Sequence, residues 1–144
     1  MISFFVAGVP VPKGSARAFM RPGMKHPSVV QDNKEKQKPW ASAIGYAAQQ
    51  EVAEPIQAGP VAVDILFYMP RLKGHYGTGK NAGAVKDSAP TYHTAKPDLD
   101  KLVRCVKDAL TGIVWKDDAQ VATVQAVKMY SEQPGARIRI EPLK

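Results

Sequence analysis

The sequence has a single cysteine, Cys105, which excludes an internal disulfide and a zinc site built on paired thiolates. Its three histidines, His26, His75 and His93, are scattered, without the close pair that a metal-binding helix would present. Any bound metal is therefore expected to take oxygen ligands. No run approaches the roughly 18 apolar residues of a membrane span. Met1 to Gly8 is apolar, but it lacks a preceding basic segment and a small-residue cleavage site. It does not read as a signal peptide, and the protein is expected in the cytoplasm. There is no internal repeat and no low-complexity tract.

Acidic residues are the minority charge, 13 Asp and Glu against 20 Lys and Arg, for a net of +7 and a pI near 9.6. That excess favours an anionic partner, either nucleic acid or an anionic surface, without choosing between them. A hydrophobic content of 44% with 23% charged residues is that of a globular protein. The 144 residues suit a single domain over 1–144.

Ile2 to Ala7 is β-branched and aromatic, bounded by Gly8 and Pro10, and predicts a first strand. Pro10 to Pro39 carries seven basic residues, Arg17 and Arg21 among them, against Asp32 and Glu35, and reads as a basic loop. From Trp40 to about Val52 apolar residues recur at helical spacing, giving an amphipathic helix that Pro55 ends. Val61 to Met69 is strongly strand-like. Pro70 to Pro97 holds four glycines and the cations Arg71, Lys73, Lys80, Lys86 and Lys96 against Asp87. A connection of that length is usually functional or disordered.

Beyond it, Leu99, Leu102, Val103, Val106 and Leu110 form a stripe on one helix face, and Gly112 is the natural stop. Val121 to Tyr130 and Ala136 to Ile140 read as two strands turning at Pro134 and Gly135, a C-terminal hairpin. The expected architecture is α+β: a small mixed sheet with two helices packed on it, in the order β-α-β-α-β-β.

The chemistry concentrates in KPDLDKLVRCVKDALTGIVWKDDAQV, Lys96 to Val121. Pro97 disfavours helix at Lys96, which makes Asp98 the N-cap and puts Asp100 in the first turn. Because a cap residue has non-helical backbone angles, the Asp98 carboxylate is free to turn toward that of Asp100. Asp117 and Asp118 lie in the short connection after Gly112. The spacing leaves open which helix end they approach and which of the two joins the first pair. Three gathered carboxylates would repel one another unless cations neutralised them. Their hard oxygens suit Mg²⁺ or Mn²⁺, and such ions hydrolyse phosphodiesters by activating water and stabilising the leaving oxygen.

Each residue also has a purely structural reading. Asp98 and Asp100 are good macrodipole partners, Asp117 and Asp118 are ordinary turn acids, and Arg104 lies at i+4 from Asp100 as an ion-pair partner would. Trp115 and Cys105 read as packing residues. Asp108 opposes the macrodipole in the last turn, so it is expected to have a partner, near Lys107 or in the Asp117 turn.

This segment resembles the RusA family of Holliday-junction resolvases, whose members carry D-x-D-N-L-x-K opening a helix, then D-A-L, then aromatic-x-D-D-x-Q-V. The matching residues are Asp98, Asp100 and Leu102; Asp108, Ala109 and Leu110; then Trp115, Asp117, Asp118, Gln120 and Val121, spread over roughly the last third of the chain. Pro10 to Pro12 with Lys13 and Gly14 is similar to the family's first loop.

The resemblance implies a homodimeric, Mg²⁺-dependent endonuclease, often prophage-encoded, that nicks four-way DNA junctions in pairs for recombination and repair. It puts the metal on Asp98, Asp100 and Asp118, with Asp117 auxiliary. The charge of the basic segments, apart from the resemblance, puts DNA backbone on Lys13, Arg17, Arg21, Arg71, Lys73, Lys80, Lys86, Lys96 and Lys101. Lys101 stands where the family has Asn. Arg104 stands where it has a catalytic Lys, keeping the charge but losing any capacity to donate a proton. The alternatives are a DNA-binding module without catalysis and a metal nuclease acting on flaps or single strands.

Overall fold

A computed structural model describes the chain except Ser15, Asp32 and Asn33; for residues 16–19, 28–31 and 34 it describes the backbone alone. The elements are β1 (Ile2–Ala7), β2 (Ala16–Phe19), β3 (Ser28–Gln31), α1 (Lys34–Glu51), β4 (Val61–Pro70), α2 (Leu99–Leu110), β5 (Val121–Ser131) and β6 (Gly135–Pro142). Apart from β2 and β3 this is the predicted α+β order.

The main sheet runs β1-β6-β4-β5. β4 and β5 are parallel, and β6 is antiparallel to both β4 and β1. Parallel neighbours need a crossover, and α2 supplies it. The two C-terminal strands run in opposite directions and turn through 132–134, but β4 lies between them. The arms of the expected hairpin therefore straddle a third strand and do not bond to each other. Gly135 is needed at the turn because a Cβ there would stand 2.3 Å from the Phe5 ring and 2.6 Å from the Val6 carbonyl oxygen.

β4 is central, and its alternate residues Val61, Val63, Ile65, Phe67 and Met69 are all buried on one face. That face receives Ile138 and Ile140 of β6, Phe4 and Val6 of β1, and the inner stripe of α2, Leu102, Cys105, Val106 and Leu110. Burial raises the Cys105 thiol above its usual pKa, consistent with a packing residue. The sheet's other face carries no helix; Phe5, Leu66, Tyr68, Val127 and Met129 lie there half-buried.

The structure departs from sequence expectation at two places. Part of the basic segment Pro10 to Pro39 is regular: β2 and β3 pair antiparallel from Ala16 opposite Gln31 to Phe19 opposite Ser28. Four residues apiece, ARAF and SVVQ, are too few to show the alternation that marks a strand. α1 also starts six residues before Trp40 and runs through Pro39, its sixth residue, at the cost of the one intrahelical bond that the missing N–H would have made. Among the described residues no helix is long and apolar enough to cross a membrane.

Candidate active site

The two ends of α2 carry the acids. At its start, Asp98 occupies the cap position with extended backbone, φ −69° and ψ 143°, yet its side chain makes no capping hydrogen bond. Its carboxylate is left to solvent and to Lys101, whose Nζ is 3.9 Å away, a separation worth little at an exposed site. Asp100, one turn in, is exposed and makes no ion pair among the described residues.

The segment leading into this end is tied down by a residue that motif reasoning missed. Lys128 Nζ donates to the carbonyl oxygens of Ala95 and Pro97, both at 2.7 Å. The backbone of Thr91–His93 runs along the outer edge of β5 through Tyr130 N to Thr91 O, 2.9 Å, and His93 N to Lys128 O, 3.0 Å. Lys128 thus positions the residue before Asp98. In sequence it is one lysine within a strand, and only its register opposite Phe67, on the helix-bearing face, turns it inward.

The far end of α2 is closed tightly. Gly112 has φ +89°, and its N–H donates to the Trp115 carbonyl at 2.7 Å. Trp115 is fully buried; its indole N–H donates to Thr111 Oγ1 at 3.0 Å, and that hydroxyl donates to the Lys107 carbonyl at 2.8 Å. A 3₁₀ turn over Asp118–Gln120 then leads into β5.

In that turn the adjacent aspartates separate by role. Asp117 Oδ1 accepts from Ala119 N at 2.9 Å, and the Asp117 N–H donates to Gln120 Oε1 at 2.8 Å. Gln120 Nε2 reaches across to the carbonyls of Ile56 and Gly59, 3.1 Å each. Asp117 is therefore a committed cap and Gln120 a staple to the connection before β4. Among the described residues the Asp118 side chain makes one ion pair, with Lys107 Nζ at 3.5 Å.

Because β5 starts beside the C-terminal end of α2, Asp118 approaches Lys107 and not the Asp98 cap. Asp100 and Asp118 nonetheless line one cleft of about 530 Å³, with Arg104, Lys107, Asp108 and Lys13 on its walls. Asp98 opens on a second cleft, of about 630 Å³, and Lys13 borders both. Asp108 finds its partner here: Lys13 Nζ donates to its Oδ2. The cation comes from the first loop, 95 residues away in sequence, and not from Lys107 or the Asp117 turn. A contact of that separation leaves no local sequence signal.

Carboxylate oxygens are the right donors for Mg²⁺ or Mn²⁺, and Asp98 and Asp100 are uncommitted. Among the described residues, however, no three acidic, histidine or cysteine side chains lie close enough together to hold an ion. Lys107 Nζ stands 3.5 Å from the Asp118 carboxylate.

Of the cations singled out for DNA, Lys73, Lys80, Lys86 and Lys96 are exposed, and Arg21 lies in the β2–β3 turn. The side chain of Arg17 lies outside the described residues. Arg71 has structural work: it donates to the Pro90 carbonyl at 3.0 Å and sits 5.7 Å over the Tyr130 ring.

Two exposed acids and an arginine lining one open cleft, on a strongly basic α+β chain, are groups suited to phosphodiester chemistry. Residues 8–141 match the family model described as endodeoxyribonuclease RusA. The chain belongs to the RusA endodeoxyribonuclease family. It is also 34% identical over 139 residues to the uncharacterized protein YqaN of Bacillus subtilis (strain 168), with 96% of this chain and 94% of that protein covered.

Proposed function

We propose that this member is a Holliday-junction resolvase, a homodimeric, Mg²⁺-dependent endodeoxyribonuclease that acts in the cytoplasm and makes paired nicks in four-way DNA. The observation that carries the reading is the shared cleft of Asp100, Arg104 and Asp118. Asp98, Asp100 and Asp118 would hold the ion only after Asp98, on the neighbouring cleft, and Asp118, on Lys107, turn toward Asp100, and Asp117 would support the site by fixing the turn. Bound there, Mg²⁺ supplies Lewis-acid polarisation of the scissile phosphate and the attacking water.

The chain's own groups do the rest. Arg104 meets the phosphate oxygens and stabilises the charge that builds on them, without transferring a proton. Lys107 balances the Asp118 charge and would have to release that carboxylate for it to serve as a metal ligand. Lys13, Lys96 and Lys101 flank the acids and attract the backbone through charge, which positions DNA without reading its sequence. A two-fold junction requires two symmetric cuts, which an isologous dimer provides. The helix-free face of the sheet, with Phe5, Leu66 and Tyr68, offers apolar area for a second copy.

The test is a panel of four-way junctions, flaps, linear duplexes and single strands, with and without Mg²⁺, for the wild-type protein and Asp100→Asn. We expect junctions to be nicked in pairs only with Mg²⁺. The variant should bind them while cleavage falls by about 10²–10³-fold, the scale for removing one charge-stabilising group. Undiminished cleavage by the variant would overturn the metal assignment, and preference for flaps or linear duplex would overturn the resolvase assignment.

A further inference from the structure

The cleft on the other side of Asp98 is the larger of the two, about 630 Å³, within the range of roughly 300–1,000 Å³ that holds small ligands. Its composition differs from that of a phosphate groove. Val9, Pro10, Pro12, Met69 and Leu72 give it apolar walls, and Val9 and Leu72 keep 53% and 62% of their surface exposed. Two large apolar side chains left in water at one opening mark a place where something apolar docks.

Its rim has the opposite character. Lys36 and Lys96 stand there with no ion pair among the described residues, beside Lys13 and Lys101. His93 also lines the cleft, and its Nδ1 is buried without a hydrogen-bond partner among the described residues. Burial, and then the charge of Lys128, lower the pKa of His93, so at neutral pH the ring is uncharged, one nitrogen a donor and the other an acceptor. Flat apolar walls, and cations at the mouth with no ion pair among the described residues, match a nucleotide: a base with an apolar face, flanked by phosphates.

We propose that this cleft receives a single nucleotide unstacked at the branch of the DNA substrate, its base against Val9, Pro10, Pro12 and Leu72 and its flanking phosphates on Lys36 and Lys96. The proposal rests on the endonuclease reading above and adds to it the source of nucleotide selectivity. Apolar side chains including Leu and Pro wedge into base steps elsewhere in DNA recognition, and unstacking costs least where pairing is already interrupted, as at a branch point. Asp98 lines the same cleft, so a base seated there fixes which phosphate lies next to the acids.

The experiment uses junctions in EDTA, to block cleavage, with either 2-aminopurine or an abasic residue at each position around the crossover in turn. At one position we expect bound wild-type protein to raise 2-aminopurine fluorescence and to bind the intact junction about tenfold more tightly than the abasic one, as expected from losing one apolar contact of about 1.4 kcal/mol. Val9→Ala/Leu72→Ala, both exposed and so safe for folding, should bring that ratio close to one. It should still bind the abasic junction as wild type does. Cleavage by the same wild-type preparation in Mg²⁺ reports the endonuclease reading separately. Junction cleavage with flat fluorescence and no abasic discrimination at any position would overturn the pocket alone; no junction binding would overturn both readings.

Discussion

The two ends of α2 are built to opposite standards. The C-terminal end is closed by a buried Trp115, a glycine turn and consecutive hydrogen bonds through Thr111. The N-terminal end presents Asp98 at a cap position whose capping bond is not made, and Asp100 in the open. One end spends its polar groups on structure, and the other leaves them exposed. In a family of endodeoxyribonucleases the difference teaches where to look for chemistry: at acids whose local structural duty is unperformed. By that criterion Asp118 resembles Asp98 and Asp100, and Asp117 does not.

The largest effect should come from the closed end. Trp115→Ala opens a cavity and leaves Thr111 without its donor, and should destabilise the fold by about 3–5 kcal/mol. Denaturant titration measures this, and cleavage per folded molecule should stay near wild type at low temperature. A wild-type melting curve would mean that the two ends are not so different.

Asp118→Asn should reverse that pattern. Stability should hardly change, since an exposed ion pair contributes little, while the cleavage rate falls by about 10²–10³-fold. Equal loss of stability and activity would make Asp118 a structural residue after all.

Lys128→Met tests whether the open end depends on its tether. It removes two charge-assisted hydrogen bonds, and we expect the Mg²⁺ concentration for half-maximal cleavage to rise about tenfold, the lower range for lost support of metal ligands. Maximal rate should be largely kept, and Lys128→Arg should restore part of the loss. A fall in stability with an unchanged Mg²⁺ requirement would assign Lys128 to packing alone.

Asp117→Ala should have the smallest effect. Losing this cap costs about 1 kcal/mol, read from thermal melts, with cleavage changed far less than in Asp118→Asn. A defect as deep as that of Asp118→Asn would break the distinction between the neighbours.

How much of this was legible in sequence depends on how local the cause is. The inner stripe of α2, the Asp98 cap position set by Pro97 and the Gly112 stop follow from residues within a turn or two, and the structure has them. The α+β class follows from the order of such segments. The choice between Asp117 and Asp118 needed hydrogen bonds that a D-D pair does not announce, because both are good turn residues. Lys128 and the Lys13–Asp108 pair were illegible, since each joins segments distant in the chain through register or loop path. β2 and β3 were missed because four residues apiece are too few to show a period.

The position of β4 between β5 and β6 has a consequence for how the molecule assembles. The chain's first strand pairs only with its last, Ile2 opposite Ile140, and β6 must seat itself between two strands made long before it. Contacts of such sequence span make folding slow and bring loop-closure entropy to the front of the process. During synthesis β1 therefore waits with an unsatisfied edge until residues 135–142 leave the ribosome. A chain shortened there would lose neighbours of both β1 and β4, so its sheet would lose its middle as well as its end.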